Sequence, residues 1–312
     1  MIRLRGAAVL ALTVAVIAIH ARAEEALDAF SAQFGEEYKK VLATRDPADD
    51  IALAAQFIAT AKDKVTAPAL AAILCEKAHD LAAKTPAGYD RAVEAMDALA
   101  QKVPEKRPGA LDKIVVIRQK QFEAAAGPEK MKAGQTLVEA LLAAAEAKAE
   151  AGSATEPAAL HRRALAVAGA LGSGVKTDVQ DRVNRAATRH RLEKQAEGLK
   201  VRLKTNPQDA AARKQLVSLL VVELDDPAQA STFLDDTCDE AMRKFIPAAA
   251  KGVENTPEAA CKELGDWYRG LAETAAAASK PPMLVRSRQY YERYLRIHSA
   301  EDLSRSQAAA AI

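Results

Sequence analysis

Four carboxylates crowd one short stretch of the chain. In "LDDTCDEAM", Asp235, Asp236, Asp239 and Glu240 fall within six positions. Such a cluster could ligate a divalent cation. A calcium loop, however, needs oxygens at alternating positions and a glycine at its sharp turn. This segment has no glycine, and its acids come in pairs. Pairs at this spacing read as helix caps: Asp225/Asp226 and Asp235/Asp236 before successive helices, with Asp239/Glu240 in the next first turn.

The other residue types that could do chemistry are scattered. His79, His161, His190 and His298 lie far apart, with no H-E-x-x-H and no metal-ligand spacing. His190 stands between arginines in "TRHRLEK", whose charge repels a cation. No G-x-S-x-G is present, and "GALGSG" (169–174) lacks the Lys-Ser/Thr of a phosphate loop. The expectation is a protein with no catalytic, cofactor or metal residues, and not an enzyme.

"RQYYERYLRIH" (288–298) interleaves arginines with tyrosines, a mixture that can stack bases or glycans. Its i, i+3/i+4 spacing instead puts Tyr291, Tyr294/Leu295 and His298 on a buried stripe, with Arg293 and Arg296 in solvent. Arg182, Arg185 and Arg189 form a basic edge that reads as a solvated helix face. Cys238 and Cys261 are close enough in sequence to be bridged if adjacent helices bring them face to face, which leaves Cys75 over. All three also suit small buried hydrophobes.

These residues need elements to hold them, and the chain's first segment is the most specific signal for where they act. Arg3 and Arg5 precede the apolar run "GAAVLALTVAVIAIH", and "ARA" (21–23) follows. A positive start, a short apolar core and an A-x-A site make a secretory signal peptide. The run spans only about 21 Å as a helix, short of the ~30 Å hydrocarbon core. Residues 1–23 are therefore expected to be removed near Ala23, leaving an exported protein, periplasmic or extracellular, without a transmembrane segment. Arg3, Arg5 and Arg22 leave with the peptide, which turns a net charge of +2 into −1. That balance gives no reason to expect nucleic acid as a partner.

Alanine, leucine, lysine and glutamate dominate the rest, and aromatics make up only 4%. With strand formers this sparse, the fold class is all-α. A capping residue before proline marks helix starts at Asp46-Pro47, Thr85-Pro86, Asn206-Pro207, Asp226-Pro227 and Thr256-Pro257. Apolar stripes follow, such as Ile51, Ala54/Ala55, Ile58 and Ala61. Short connections predict antiparallel helical hairpins stacked as an irregular α-solenoid. Turn signals at 124–130 and 203–209 divide the chain into N-terminal hairpins (24–125), an Ala-rich segment with a long basic helix (126–205) and a C-terminal domain (206–312). The Ala-rich stretch could pack as two close helices split at Gly152-Ser153, or could be a mobile connector.

"CKELGDWYRGL" (261–271) carries Leu264, Gly265 and Tyr268 in the order L-G-x-x-Y, with "LVRSRQYYERYLRIH" after it. "YDRAVEAMDALAQKVP" carries Ala92, Met96, Leu99 and Pro104 at the spacing of a repeat's second helix. Over these two stretches the chain resembles degenerate tetratricopeptide repeats of the exported bacterial type, although "AAAASKPP" lengthens the turn. The resemblance implies a groove lined by outward first-helix positions, here Lys262, Asp266 and Arg269, facing a protein or peptide partner. The expected function is thus a non-enzymatic exported interaction or scaffold module that needs no cofactor. The alternative is a small-molecule or glycan-binding helical domain using the C-terminal aromatic/Arg hairpin.

Overall fold

The computed structural model describes residues 24–153, 155–277 and 279–312. The proposed leader, residues 1–23, lies outside them. Among the described residues the chain forms fourteen α-helices and no strand, and the helices pack against their neighbours. No described helix is long and apolar enough to cross a membrane. Packing divides the chain into two compact units, one ending at Val183 and the other Asn184–Ile312.

The first unit holds α1 (24–43), α2 (Pro47–Lys62), α3 (Pro68–Ala82), α4 (Tyr89–Lys102), α5 (Arg107–Ala124), α6 (Gly127–Glu150), α7 (Glu156–Leu171) and the start of α8 (Ser173–Thr205). From α2 to α7 each helix packs on the next. Asp46 caps α2, accepting from Ala48 N at 2.9 Å, and Pro47 follows at the first helical position. Phe30 and Phe34 of α1 meet Phe57 of α2 edge-on, at 5.6 and 5.3 Å between ring centroids. Ala92, Met96 and Leu99, the repeat-like positions of α4, are buried in the same core.

The Ala-rich stretch is packed. α6 and α7 separate at Gly152 (φ 83), as the Gly-Ser pair predicts. Ala144, Ala145, Ala164 and Ala168 are wholly buried. Small side chains let the two backbones approach, and a Cβ on Gly134 would stand 2.6 Å from Leu171. The expected long helix is α8, 33 residues in length. The boundary between units falls within α8, whereas the turn signals at 124–130 and 203–209 mark the α5–α6 and α8–α9 junctions.

In the second unit, Ala196, Leu199 and Leu203 of α8 join a core with α9 (Ala210–Ser218), a π-helical turn (Leu219–Glu223) and α10 (Pro227–Ser231). Then come α11 (Glu240–Ala249), a 3-10 turn (Val253–Asn255), α12 (Glu258–Thr274), α13 (Lys280–Ile297) and α14 (Leu303–Ala311). Asp209, Asp226 and Asp239 cap α9, α10 and α11 through their side chains. The acidic cluster thus serves local structure: Asp239 caps, Glu240 opens α11, and Asp235 accepts from Thr237 N in a turn.

Candidate interaction surface

The sequence-derived groove residues sit on the α12–α13 hairpin. Gly265 of α12 lies where α13 crosses it: a Cβ there would meet Tyr291 Cε1 at 2.6 Å. Within this contact Ser287 Oγ donates to Gly265 O at 2.7 Å. Leu264 and Tyr268 are fully buried beside it, so the L-G-x-x-Y pattern marks a close helix crossing.

Lys262 and Asp266 help to hold that crossing. Tyr291 OH donates to Asp266 Oδ1 at 2.6 Å, and Lys262 Nζ donates to Oδ2 at 3.1 Å. Burial, with the bond to Asp266, pushes the Tyr291 phenol up to about 12, so it stays a neutral donor at physiological pH. Arg269, like Asp266, is exposed, and Lys262 is half-buried.

A larger recess opens on another face of α13. The spacing of Arg286, Gln289, Glu292 and Arg296 aligns them along that helix, opposite Glu254 and Asn255 of the 3-10 turn. Together they line an open cleft of ≈ 560 Å³, within the range of ligand-binding clefts. Glu254 accepts from Arg296 at 2.6 Å and from Arg293 at 3.1 Å, and Glu292 from Arg288 at 2.7 Å. The walls therefore present both signs of charge and two amides.

Arg286 is placed by a local irregularity. The π turn leads to Asp225, the one non-glycine residue at positive φ (52°) among those described. Aspartate tolerates this region better than most residues. The turn delivers both Asp225 oxygens to Arg286, which donates from Nε at 3.1 Å and from Nη2 at 2.8 Å. Glu223, at the end of the same turn, accepts from Ser279 Oγ. Sequence reasoning missed this arrangement; "VELDDP" showed only as a capping signal.

The aromatics behave as core. Tyr268 and Tyr290 stack at 5.7 Å between centroids, and Trp267 stacks on Phe245 at 5.3 Å. Burial raises both buried tyrosines, and the Tyr268 hydroxyl has no hydrogen-bond partner. Neither Trp267 nor Tyr290 lines the cleft beside Arg286.

The Cys238–Cys261 bridge expected as one option is not formed. Both are free thiols, Cys238 in the α8–α9 core and Cys261 beneath α14, and Cys75 is buried in the first unit. Burial lifts Cys75 to about 11. Among the described residues no group of histidine, cysteine and carboxylates converges as a metal site. Of the basic edge on α8, Arg182 grips Glu139 at 2.5 and 2.8 Å and Arg189 pairs with Glu193 at 2.9 Å, while Arg185 faces solvent.

Comparison with protein families, curated proteins and solved structures gives no match.

Proposed function

We propose that the chain is a non-enzymatic, exported helical scaffold that holds a protein or peptide partner along the α13 cleft. The observation that carries this reading is the cleft's combination of openness and mixed polarity. Arg286, Arg296, Glu254 and Glu292 offer both charges, and Asn255 and Gln289 offer amide donors and acceptors suited to a peptide backbone. A glycan reading would call for an aromatic platform in the recess, and the nearby rings are packed on each other instead. The TPR-like α12–α13 hairpin supplies the mount.

A photo-cross-linking residue at Gln289 of the full chain, expressed in its own envelope, tests this. One reproducible adduct from position 289 is expected, absent from position 269 and lost on charge reversal of Glu254 and Arg296. Self-links alone, or equal adducts from both positions, reject the docking site. Export is tested separately: the released protein is expected to begin at Glu24, and retention of residues 1–23 rejects it.

A further inference from the structure

The last helix is held on by charge more than by apolar contact. Of α14, Ala308 alone is fully buried, while Leu303 and the following Ile312 are 72% and 47% exposed. Beneath it lie Cys261, Tyr291 and Tyr294, buried in one cluster with Ala308. So thin a layer of small side chains contributes little transfer energy of its own.

Polar contacts converge instead at the helix's first turn. His298 is 13% exposed, its ring stacked on Tyr294 at 4.6 Å between centroids. Its Nδ1 lies 2.6 Å from Glu258 Oε1 of α12. Its Nε2 lies 3.2 Å from Oδ2 of Asp302, the α14 cap, without the alignment of a hydrogen bond. Arg305 of α14 donates to Leu295 O at 3.0 Å and to His298 O at 2.5 Å, and pairs with Glu301 at 3.2 Å. On the α13 side, Arg293 and Arg296 are both engaged by Glu254. The imidazole thus bridges two carboxylates on separate elements, with neighbouring guanidinium groups held by acids of their own.

We propose that α14 is a pH-released cover over the Cys261–Tyr291–Tyr294 face, with His298 as its latch. A neutral ring can donate from Nδ1 to Glu258 and has nothing to offer Asp302. Protonation at Nε2 turns that 3.2 Å contact into an attraction across the helix start. Both carboxylates favour the charged ring, raising His298 above the ordinary histidine value. The cover is therefore tight in mildly acidic surroundings and loosens as pH rises, uncovering an aromatic strip and a thiol.

Cys261 is the built-in reporter. Full-length wild type and Asp302→Asn are labelled with N-ethylmaleimide, and each cysteine is followed by peptide mass spectrometry. Asparagine still caps a helix, so the variant removes the charge while keeping the start of α14. At about pH 5.5 Cys261 of the variant is expected to label about threefold faster than wild type; at about pH 9 the two rates coincide. Comparing proteins at one pH cancels the thiol's own pH dependence. A rate ratio equal at both pH values overturns the latch. So does labelling of Cys261 only in step with Cys75 and Cys238, which would mean that α14 opens only on global unfolding. If Asp302→Asn fails to fold, His298→Gln is read by the same two criteria.

Discussion

Gly265 and Tyr291 stand so close that one missing methyl group sets the α12–α13 crossing: a Cβ on the glycine would lie 2.6–2.9 Å from three atoms of the tyrosine ring. The ring cannot easily yield, because it is buried and its hydroxyl is bound to Asp266.

Gly265→Ala should therefore destabilise the second unit by about 1–3 kcal/mol, as overpacking does. Gly270, on the same helix with nothing within 4 Å of its would-be Cβ, is the contrast. Gly270→Ala should stabilise by about 0.5–1 kcal/mol through helix propensity. Urea unfolding of the two variants checks both signs. A neutral Gly265→Ala would refute the crossing geometry.

Each aspartate cap should be separable from its neighbours. Asp239→Ala removes the acceptor for Met242 N, 2.8 Å away, and should cost about 1 kcal/mol. Asp236, whose side chain is fully exposed, should be nearly silent when changed to alanine. Thermal unfolding of the pair distinguishes capping from a shared metal site, since loss of a shared site would penalise both.

All three cysteines should count as thiols. Ellman's reagent should find three thiols in guanidinium without reductant, since all are free, while in the native protein near pH 8 the buried Cys75 and Cys238 should stay slow and Cys261 alone should follow the state of α14. One thiol after denaturation would restore the 238–261 bridge.

The two units should answer acid in opposite directions. Burial holds His79 and His161 below the ordinary histidine value. Folding favours their neutral forms, so the stability they support is present above about pH 6.5 and is lost as pH falls through their lowered values. His298, raised chiefly by its bond to Glu258, contributes fully below about pH 6.5, and its contribution is lost as pH rises through its raised value. Hydrogen exchange, corrected for intrinsic rate, should show α3 and α7 loosening and α14 tightening between about pH 7.5 and 5. His79→Gln should remove much of the α3 response.

The all-helical class was legible from composition and stripe spacing, because helix formation rests on local propensity and period. Asp46 and Asp226 cap as the cap-proline pairs predict. At the other three pairs tertiary geometry chose differently. Thr85-Pro86 opens a 3-10 turn, Asp209 takes the cap expected of Asn206, and Pro257 itself stands at the α12 cap position. Turn signals reported helix ends and not packing, so the division within α8 left no local mark. Of the groove trio, the sequence placed Lys262 and Asp266 on one helix face but could not show Tyr291 reaching across to Asp266 from α13. The Asp225–Arg286 fork was equally hidden, since its partners are 61 positions apart and the π turn that joins them has no sequence signature.

The buried alanines of α6 and α7 invert the usual reading of a repetitive sequence. At Ala144, Ala145, Ala164 and Ala168 there is no room for another methylene without driving two helix axes apart. A saturation mutagenesis map should therefore be least permissive where the text looks most monotonous, and most permissive at the varied, charged letters between. In this molecule monotony is the constraint, and drift in the Ala-rich stretch should be slow for reasons of volume alone.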